Sequence, residues 1–141
     1  MTQITLAVSG SISAYKAADI TSRLKKENLE VAVLMTEAAT EFITPLTLQV
    51  LSQRPVAIDI MQEPDPSKVN HIDIAKESDL FLLAPATANT IAKLANGLAD
   101  NMVTATALAL PPHTKKVLAP AMNTKMFENP LTQHKLDRLQ S

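Results

Sequence analysis

Short apolar runs alternate with helical patterns along this chain, and that alternation restricts the fold more than any other feature. Four runs stand out, at residues 4–8, 31–35, 80–84 and 116–119. Each run is too short for a buried helix, whereas apolar residues between the runs recur at helical spacing, as at Ala17, Ile20 and Leu24. Buried strands separated by helices are typical of a parallel sheet covered on both faces. The sequence therefore predicts a three-layer α/β fold, with a further short strand over 57–60.

Length and composition exclude several classes of protein. A chain of 141 residues fits one domain, spanning 1–141, and 13 basic against 14 acidic residues leave no basic surface for nucleic acid. The absence of cysteine excludes disulfides and thiolate metal sites. No run reaches the about eighteen apolar residues of a membrane span. The N-terminus does not resemble a signal peptide. We therefore expect a cytoplasmic globular protein with no membrane or nucleic-acid partner.

Ligands of parallel α/β sheets bind beyond the carboxyl ends of the strands, which makes the turns after the strands the place to search. The turn at 9–13 contains Gly10, which lets the backbone approach a ligand, together with serine hydroxyls that favour a phosphate. The alternative is a tight turn in which Ser11 is a helix N-cap. No GxGxxG pattern is present, so a dinucleotide fingerprint is absent.

The turn at 85–90 reads PATANT and precedes a predicted helix. Its small residues would allow a flat ring to lie against the backbone, while Thr87, Asn89 and Thr90 offer hydrogen bonds. The alternative is that Asn89 caps the helix.

The turn at 120–123 reads PAMN and follows the last predicted strand. The Asn123 amide could bind a carboxylate or an amide, although asparagine is also a common turn residue. We expect the following Met126, Phe127 and Leu131 to be core residues.

His71 opens a helix-like stretch after the Pro-rich segment 61–70. An imidazole titrates near working pH, which makes His71 a candidate general base; the alternative is a surface histidine at a helix start. His113 and His134 are scattered and lack metal-ligand spacing, so we expect no metal site.

Taken together, four stretches of the sequence resemble the homo-oligomeric flavin-containing cysteine decarboxylases. They read SGSISAYK at 9–16, NHI at 70–72, PATANT at 85–90 and PAMNTKMF at 120–127. The resemblance spans nearly the whole chain, with Phe127 in place of the family's usual Trp and PATANT in place of PASANT. It implies a Rossmann-like (flavodoxin-like) sheet that binds FMN.

The resemblance also implies roles for individual residues. The residues implied to hold FMN are Gly10, Ser11, Ile12, Thr36, Ala86, Thr87, Ala88, Asn89, Thr90 and Ala121. His71 corresponds to the family's catalytic histidine, and Asn123 with Met122 corresponds to the substrate-binding residues. Members of the family form homotrimers or larger assemblies with FMN at the subunit contact.

The match is best with members that decarboxylate 4'-phosphopantothenoylcysteine to 4'-phosphopantetheine in coenzyme A biosynthesis. In that chemistry the flavin oxidises the substrate thiol to a thioaldehyde, which accepts the electrons left when carbon dioxide departs; the reduced flavin then returns a hydride. The alternatives are a peptidyl-cysteine decarboxylase and a non-catalytic flavin-binding or regulatory subunit of the same fold.

The sequence departs from the family at one chemically important point. The family uses a cysteine on a flap downstream of the PAMN stretch to protonate the intermediate in the reductive step, and this sequence contains no cysteine. We therefore expect that the 141-residue sequence lacks a C-terminal segment, and that this form would stall with reduced flavin and an enethiol.

Overall fold

The computed structural model describes residues 2–59 and 70–140. Its strands are β1 (Gln3–Val8), β2 (Glu30–Met35), β3 (Leu80–Ala86) and β4 (Lys115–Pro120), and all of their pairings are parallel. The strand order is β2-β1-β3-β4. The chain thus leaves β1 toward one side and returns to the other side at β3. This reversal of direction is the position at which open α/β sheets bind ligands.

The helices of the described chain are α1 (Lys16–Lys26), α2 (Pro45–Ser52), α3 (Asn70–Glu77), α4 (Ala88–Ala95), α5 (Met102–Leu108), α6 (Thr124–Glu128) and α7 (Pro130–Gln140). Two 3₁₀ turns, Ile12–Tyr15 and Ala38–Glu41, follow β1 and β2. None of the helices in the described ranges is long and apolar enough to cross a membrane.

Successive residues of each strand point to opposite sides of the sheet, and helices cover both sides. On one face, Leu6 of β1 belongs to a core with Ala17 of α1 and Leu48 of α2. On the other face, Ala7 belongs to a second core with Ile91 of α4, to which α3 and α5 also contribute. The three-layer α/β prediction is therefore confirmed.

The apolar run predicted for β3 stops before Pro85, but the strand extends past this proline. The strand continues to Ala86, and the β3–β4 ladder shifts register between Leu83 and Ala86. Proline cannot donate a ladder hydrogen bond and is tolerated at such an irregularity. In the predicted strand over 57–60, Ala57 forms an isolated parallel bridge with Leu34, and residue 60 lies outside the described residues.

The expectation that Met126, Phe127 and Leu131 belong to the core is wrong. Their exposed fractions are 51%, 40% and 71%. Leu136 of α7 does pack against the second core. Because each helical residue turns the chain by about 100°, Leu131 lies about 140° around α7 from Leu136 and faces away from that core.

Candidate functional site

A cleft of about 660 Å³ opens at the carboxyl ends of β1, β2 and β3. This volume lies within the range of small-molecule sites. Nine of the residues proposed from the sequence line it: Gly10, Ser11, Thr36, Thr87, Ala88, Asn89, Thr90, Ala121 and Met122. Side chains that are far apart in the sequence are thus brought to one wall by the ends of neighbouring strands.

Four of the proposed residues do not line this cleft. Ile12 is 78% exposed in the first 3₁₀ turn, and Ala86 is buried at the end of β3. His71 lies in the first turn of α3, and Asn123 lies at the start of α6.

The turn after β1 combines a helix cap with a close backbone approach. Ser11 has an extended backbone, and its hydroxyl accepts a hydrogen bond from the Ser13 N–H at 3.2 Å, so it is the N-cap of the 3₁₀ turn. A Cβ added to Gly10 would lie 2.6 Å from the Cβ of Ala38 and 2.9 Å from its carbonyl carbon. Glycine is therefore required here for the turns after β1 and β2 to meet.

Thr36 holds the turn that follows β2. It is buried, and its hydroxyl accepts a hydrogen bond from the Ala39 N–H at 3.1 Å. The same residue donates its own N–H to the Val8 carbonyl at 3.0 Å. Thr36 therefore fixes the second turn of the cleft against the end of β1.

The PATANT turn presents a helix start to the cleft. Thr87 has an extended backbone and is the N-cap of α4; its hydroxyl accepts from the Thr90 N–H at 3.3 Å. Asn89 is already helical and therefore cannot be the cap, contrary to the alternative considered from the sequence. The Asn89 side chain instead lies in the cleft wall. The first N–H groups of α4 have no partners within the helix, which suits a polar or anionic ligand group.

Asn123 is the N-cap of α6, and its side-chain oxygen accepts from the Lys125 N–H at 2.9 Å. The same turn is joined to β3, because the Ala121 N–H donates to the Ala86 carbonyl at 3.0 Å. Ala121 and Met122 reach the cleft. The amide NH₂ of Asn123 is not used by the cap and can donate to a ligand.

His71 contains a buried polar atom that needs explanation. Its Nδ1 is buried and has no hydrogen-bond partner among residues 2–59 and 70–140, and the same holds for Oδ2 of Asp73. Buried polar atoms of native proteins usually have a hydrogen-bond partner, either in the protein or in ordered water.

The cleft also carries charged residues that the sequence analysis missed. The Lys93 ammonium lies 2.9 Å and 3.1 Å from the two carboxylate oxygens of Asp100, and both residues line the cleft. The hydrogen bond from Lys93 lowers the pKa of the Asp100 carboxyl. Lys93 follows Asn89 by four residues, a spacing that places both on one face of α4. That spacing was the signal available in the sequence.

A parallel α/β sheet with a polar cleft at its switch point is typical of nucleotide- and flavin-binding domains. The chain belongs to the flavoprotein family, whose model matches residues 1–141.

Two curated relatives show how the chain relates to longer proteins. It is 63% identical over 131 residues to a probable phosphopantothenoylcysteine decarboxylase of Streptococcus mutans, covering 93% of this chain and 73% of that protein. It is 47% identical over 137 residues to the coenzyme A biosynthesis bifunctional protein CoaBC of Bacillus subtilis, covering 96% of this chain. The chain spans 33% of the length of that bifunctional protein.

Solved structures show the same fold. TvaF, an FMN-dependent cysteine decarboxylase from thioviridamide biosynthesis, is 34% identical with a TM-score of 0.89, covering 99% of this chain and 85% of that one. A phosphopantothenoylcysteine decarboxylase variant with cysteine replaced by serine, complexed with pantothenoylaminoethenethiol, is 32% identical with a TM-score of 0.85. That match covers 99% of this chain and 77% of the other. The flavodoxin-like fold is therefore confirmed.

Proposed function

We propose that this chain catalyses the FMN-dependent decarboxylation of 4'-phosphopantothenoylcysteine in the cytoplasm, the reaction that leads to 4'-phosphopantetheine in coenzyme A biosynthesis. The observation that carries the proposal is the convergence of nine residues from separate strand-end turns on one cleft. The 63% identity to a probable phosphopantothenoylcysteine decarboxylase supports this substrate.

The lining residues fit FMN. Ala88 and Ala121 have small side chains beside which a flat ring can lie, and Asn89 supplies an amide. Ser11 and the start of α4 supply hydroxyl and N–H donors for a phosphate and a ribityl chain. The bound flavin would supply a two-electron acceptor for the substrate thiol.

The protein's own residues would orient the substrate and handle its protons. Asn123 donates its amide NH₂ to the substrate carboxylate and, with Met122, positions the cysteine end for loss of carbon dioxide. His71 accepts a proton during thiol oxidation. The buried Nδ1 of His71, which lacks a partner in the described chain, supports a functional use of this side chain.

A homo-oligomer, with a homotrimer as the smallest form, would bring His71 to the cleft. His71 does not line the cleft of its own chain, so a neighbouring subunit would supply it. Exposed apolar side chains support a subunit contact close to the cleft: Ile12, Tyr15, Leu46 and Val50 are 60–78% exposed, and Ile12 lies in the turn next to Ser11.

A peptidyl-cysteine decarboxylase is the second candidate, favoured by the 0.89 TM-score to TvaF. Both candidates require FMN, but they differ in substrate. The test is to purify the protein with FMN, identify the released flavin by mass, and offer 4'-phosphopantothenoylcysteine and a peptide with a C-terminal cysteine in separate reactions. Loss of carbon dioxide from the first substrate alone supports the proposal. Turnover of the peptide alone supports the second candidate, and protein that takes up no FMN contradicts both.

A further inference from the structure

Lys93 is the one Lys, Arg or His side chain that lines the cleft within the described ranges, and it is bound there by a neighbour. Its ammonium is held by both carboxylate oxygens of Asp100, at 2.9 Å and 3.1 Å. The side chain of Lys93 is 23% exposed, whereas that of Asp100 is 57% exposed. The lysine is thus largely enclosed in the cleft wall, and its partner lies toward solvent.

The charges around Lys93 do not favour an anionic ligand. The carboxylates of Glu37 and Asp100 line the cleft together with the Lys93 ammonium. A phosphate monoester brings up to two further negative charges. Lysine is a common point-charge ligand of phosphate, and it is the group in this wall able to offset that charge.

We propose that Lys93 binds the phosphate monoester of a ligand in the cleft, and that Asp100 holds the ammonium in position until phosphate replaces it. The inference rests on the proposed function, which provides two sources of phosphate: FMN and 4'-phosphopantothenoylcysteine. Both carry the same recognisable group, and binding experiments separate them.

The exchange is energetically reasonable because the pair to be broken is weak. An ion pair with a solvent-exposed partner contributes up to about fivefold in an equilibrium constant. A hydrogen bond from an ammonium to phosphate in a partly enclosed cleft contributes about tenfold to a hundredfold. Asn89, one turn earlier on the same face of α4, can hold the adjoining part of the ligand without competing for its charge.

The test compares ligands that differ by one phosphate. FMN and riboflavin are titrated into the wild-type protein and into Lys93→Gln, Lys93→Arg and Lys26→Gln; pantetheine and 4'-phosphopantetheine are titrated into each FMN-loaded protein. Lys26→Gln is the matched control, because it removes the same charge from an exposed residue at the end of α1. We expect Lys93→Gln to weaken one phosphorylated ligand about tenfold or more and its unphosphorylated partner little. Lys93→Arg and Lys26→Gln should retain most of the affinity.

In Lys93→Gln, one phosphorylated ligand should bind about as tightly as its unphosphorylated partner. That ligand is the source of the phosphate that Lys93 binds. Asp100→Asn should strengthen the same ligand by up to about fivefold, because Lys93 no longer has to leave a carboxylate. The inference would be overturned if Lys93→Gln left the ratio of the two dissociation constants unchanged for both ligand pairs. It would also be overturned if Asp100→Asn lost as much affinity for the phosphorylated ligand as Lys93→Gln does. Wild-type protein that binds neither flavin would contradict the proposed function as well, so the two failures are distinguishable.

Discussion

The hydroxyl of Ser9 accepts a hydrogen bond from the backbone N–H of Thr87 at 3.0 Å, although the two residues are 78 positions apart. The same hydroxyl donates to the Pro85 carbonyl at 2.6 Å. Ser9 is 1% exposed, so water does not replace these bonds. Since Thr87 caps α4, Ser9 links the end of β1 to the helix start that faces the cleft.

Replacing Ser9 with alanine should therefore affect both stability and cofactor binding. The change removes a hydrogen bond from the part-buried Thr87 N–H and one of the two that the Pro85 carbonyl accepts, since the Ser9 N–H also donates to that carbonyl. Removing such bonds costs about 1–3 kcal/mol. We expect urea unfolding to show a loss of about that size, and FMN titration to show weaker binding. Ser22→Ala in α1 is the control, with an expected change within about 0.5 kcal/mol. Equal stability of Ser9→Ala and Ser22→Ala would show that the link is dispensable.

Gly10→Ala should separate the two turns that meet at Ala38. The added Cβ would lie 2.6 Å from the Ala38 Cβ and 2.9 Å from a backbone carbon, so a turn must move. We expect a loss of about 1–3 kcal/mol in the free energy of unfolding together with weakened FMN binding.

The control for Gly10→Ala is Gly97→Ala, which strains the backbone without creating a steric clash. A Cβ there meets no atom within 4 Å, but the φ of +71° is unfavourable for alanine. This variant should lose stability while retaining FMN affinity. The double variant Gly10→Ala with Ala38→Gly should recover part of the binding, since it removes the Cβ–Cβ contact and leaves the backbone contact. FMN binding by Gly10→Ala equal to wild type would contradict the steric argument.

His71→Asn should leave flavin binding nearly intact and lower turnover by about a hundredfold to ten-thousandfold, the usual cost of losing a general base. His71 is proposed to move a substrate proton and not to hold the cofactor, so the FMN spectrum and the FMN dissociation constant should change little. His134→Asn on the exposed side of α7 is the matched control. Wild-type turnover by His71→Asn would return this residue to a structural role.

Asn123→Asp separates the cap from the substrate contact. Aspartate is as good an N-cap as asparagine, so α6 and the stability of the fold should persist. The new carboxylate would face the substrate carboxylate, and like charges in a partly enclosed site repel. Turnover should collapse while the flavin spectrum remains. If the Asp variant keeps normal turnover, Asn123 acts only as the cap of α6.

Short-range sequence patterns predicted where the strands lie and which residue types cap the helical turns. The strand positions followed from short apolar runs, and the alternative that Ser11 caps a helical turn followed from a hydroxyl residue before a helix start. Thr87 rather than Asn89 caps α4 because the backbone decides which residue stays extended, and both residue types are good caps.

Features that depend on chain reversal could not be predicted in the same way. Asp100 reaches Lys93 because the segment after α4 turns back toward the cleft, which no local pattern specifies. The exposure of Leu131 likewise depends on which side of α7 meets the core. Helical spacing defines a face, whereas tertiary packing decides whether that face is covered.

Release of carbon dioxide from carboxyl-labelled 4'-phosphopantothenoylcysteine tests the central claim most directly, because decarboxylation precedes the return of electrons from the flavin. The FMN-loaded protein is mixed with substrate under anaerobic conditions, and labelled gas and flavin absorbance are followed together. We expect carbon dioxide to be released in step with flavin reduction, and His71→Asn to suppress both. FMN-loaded, correctly folded protein that binds this substrate but releases no carbon dioxide would contradict the account.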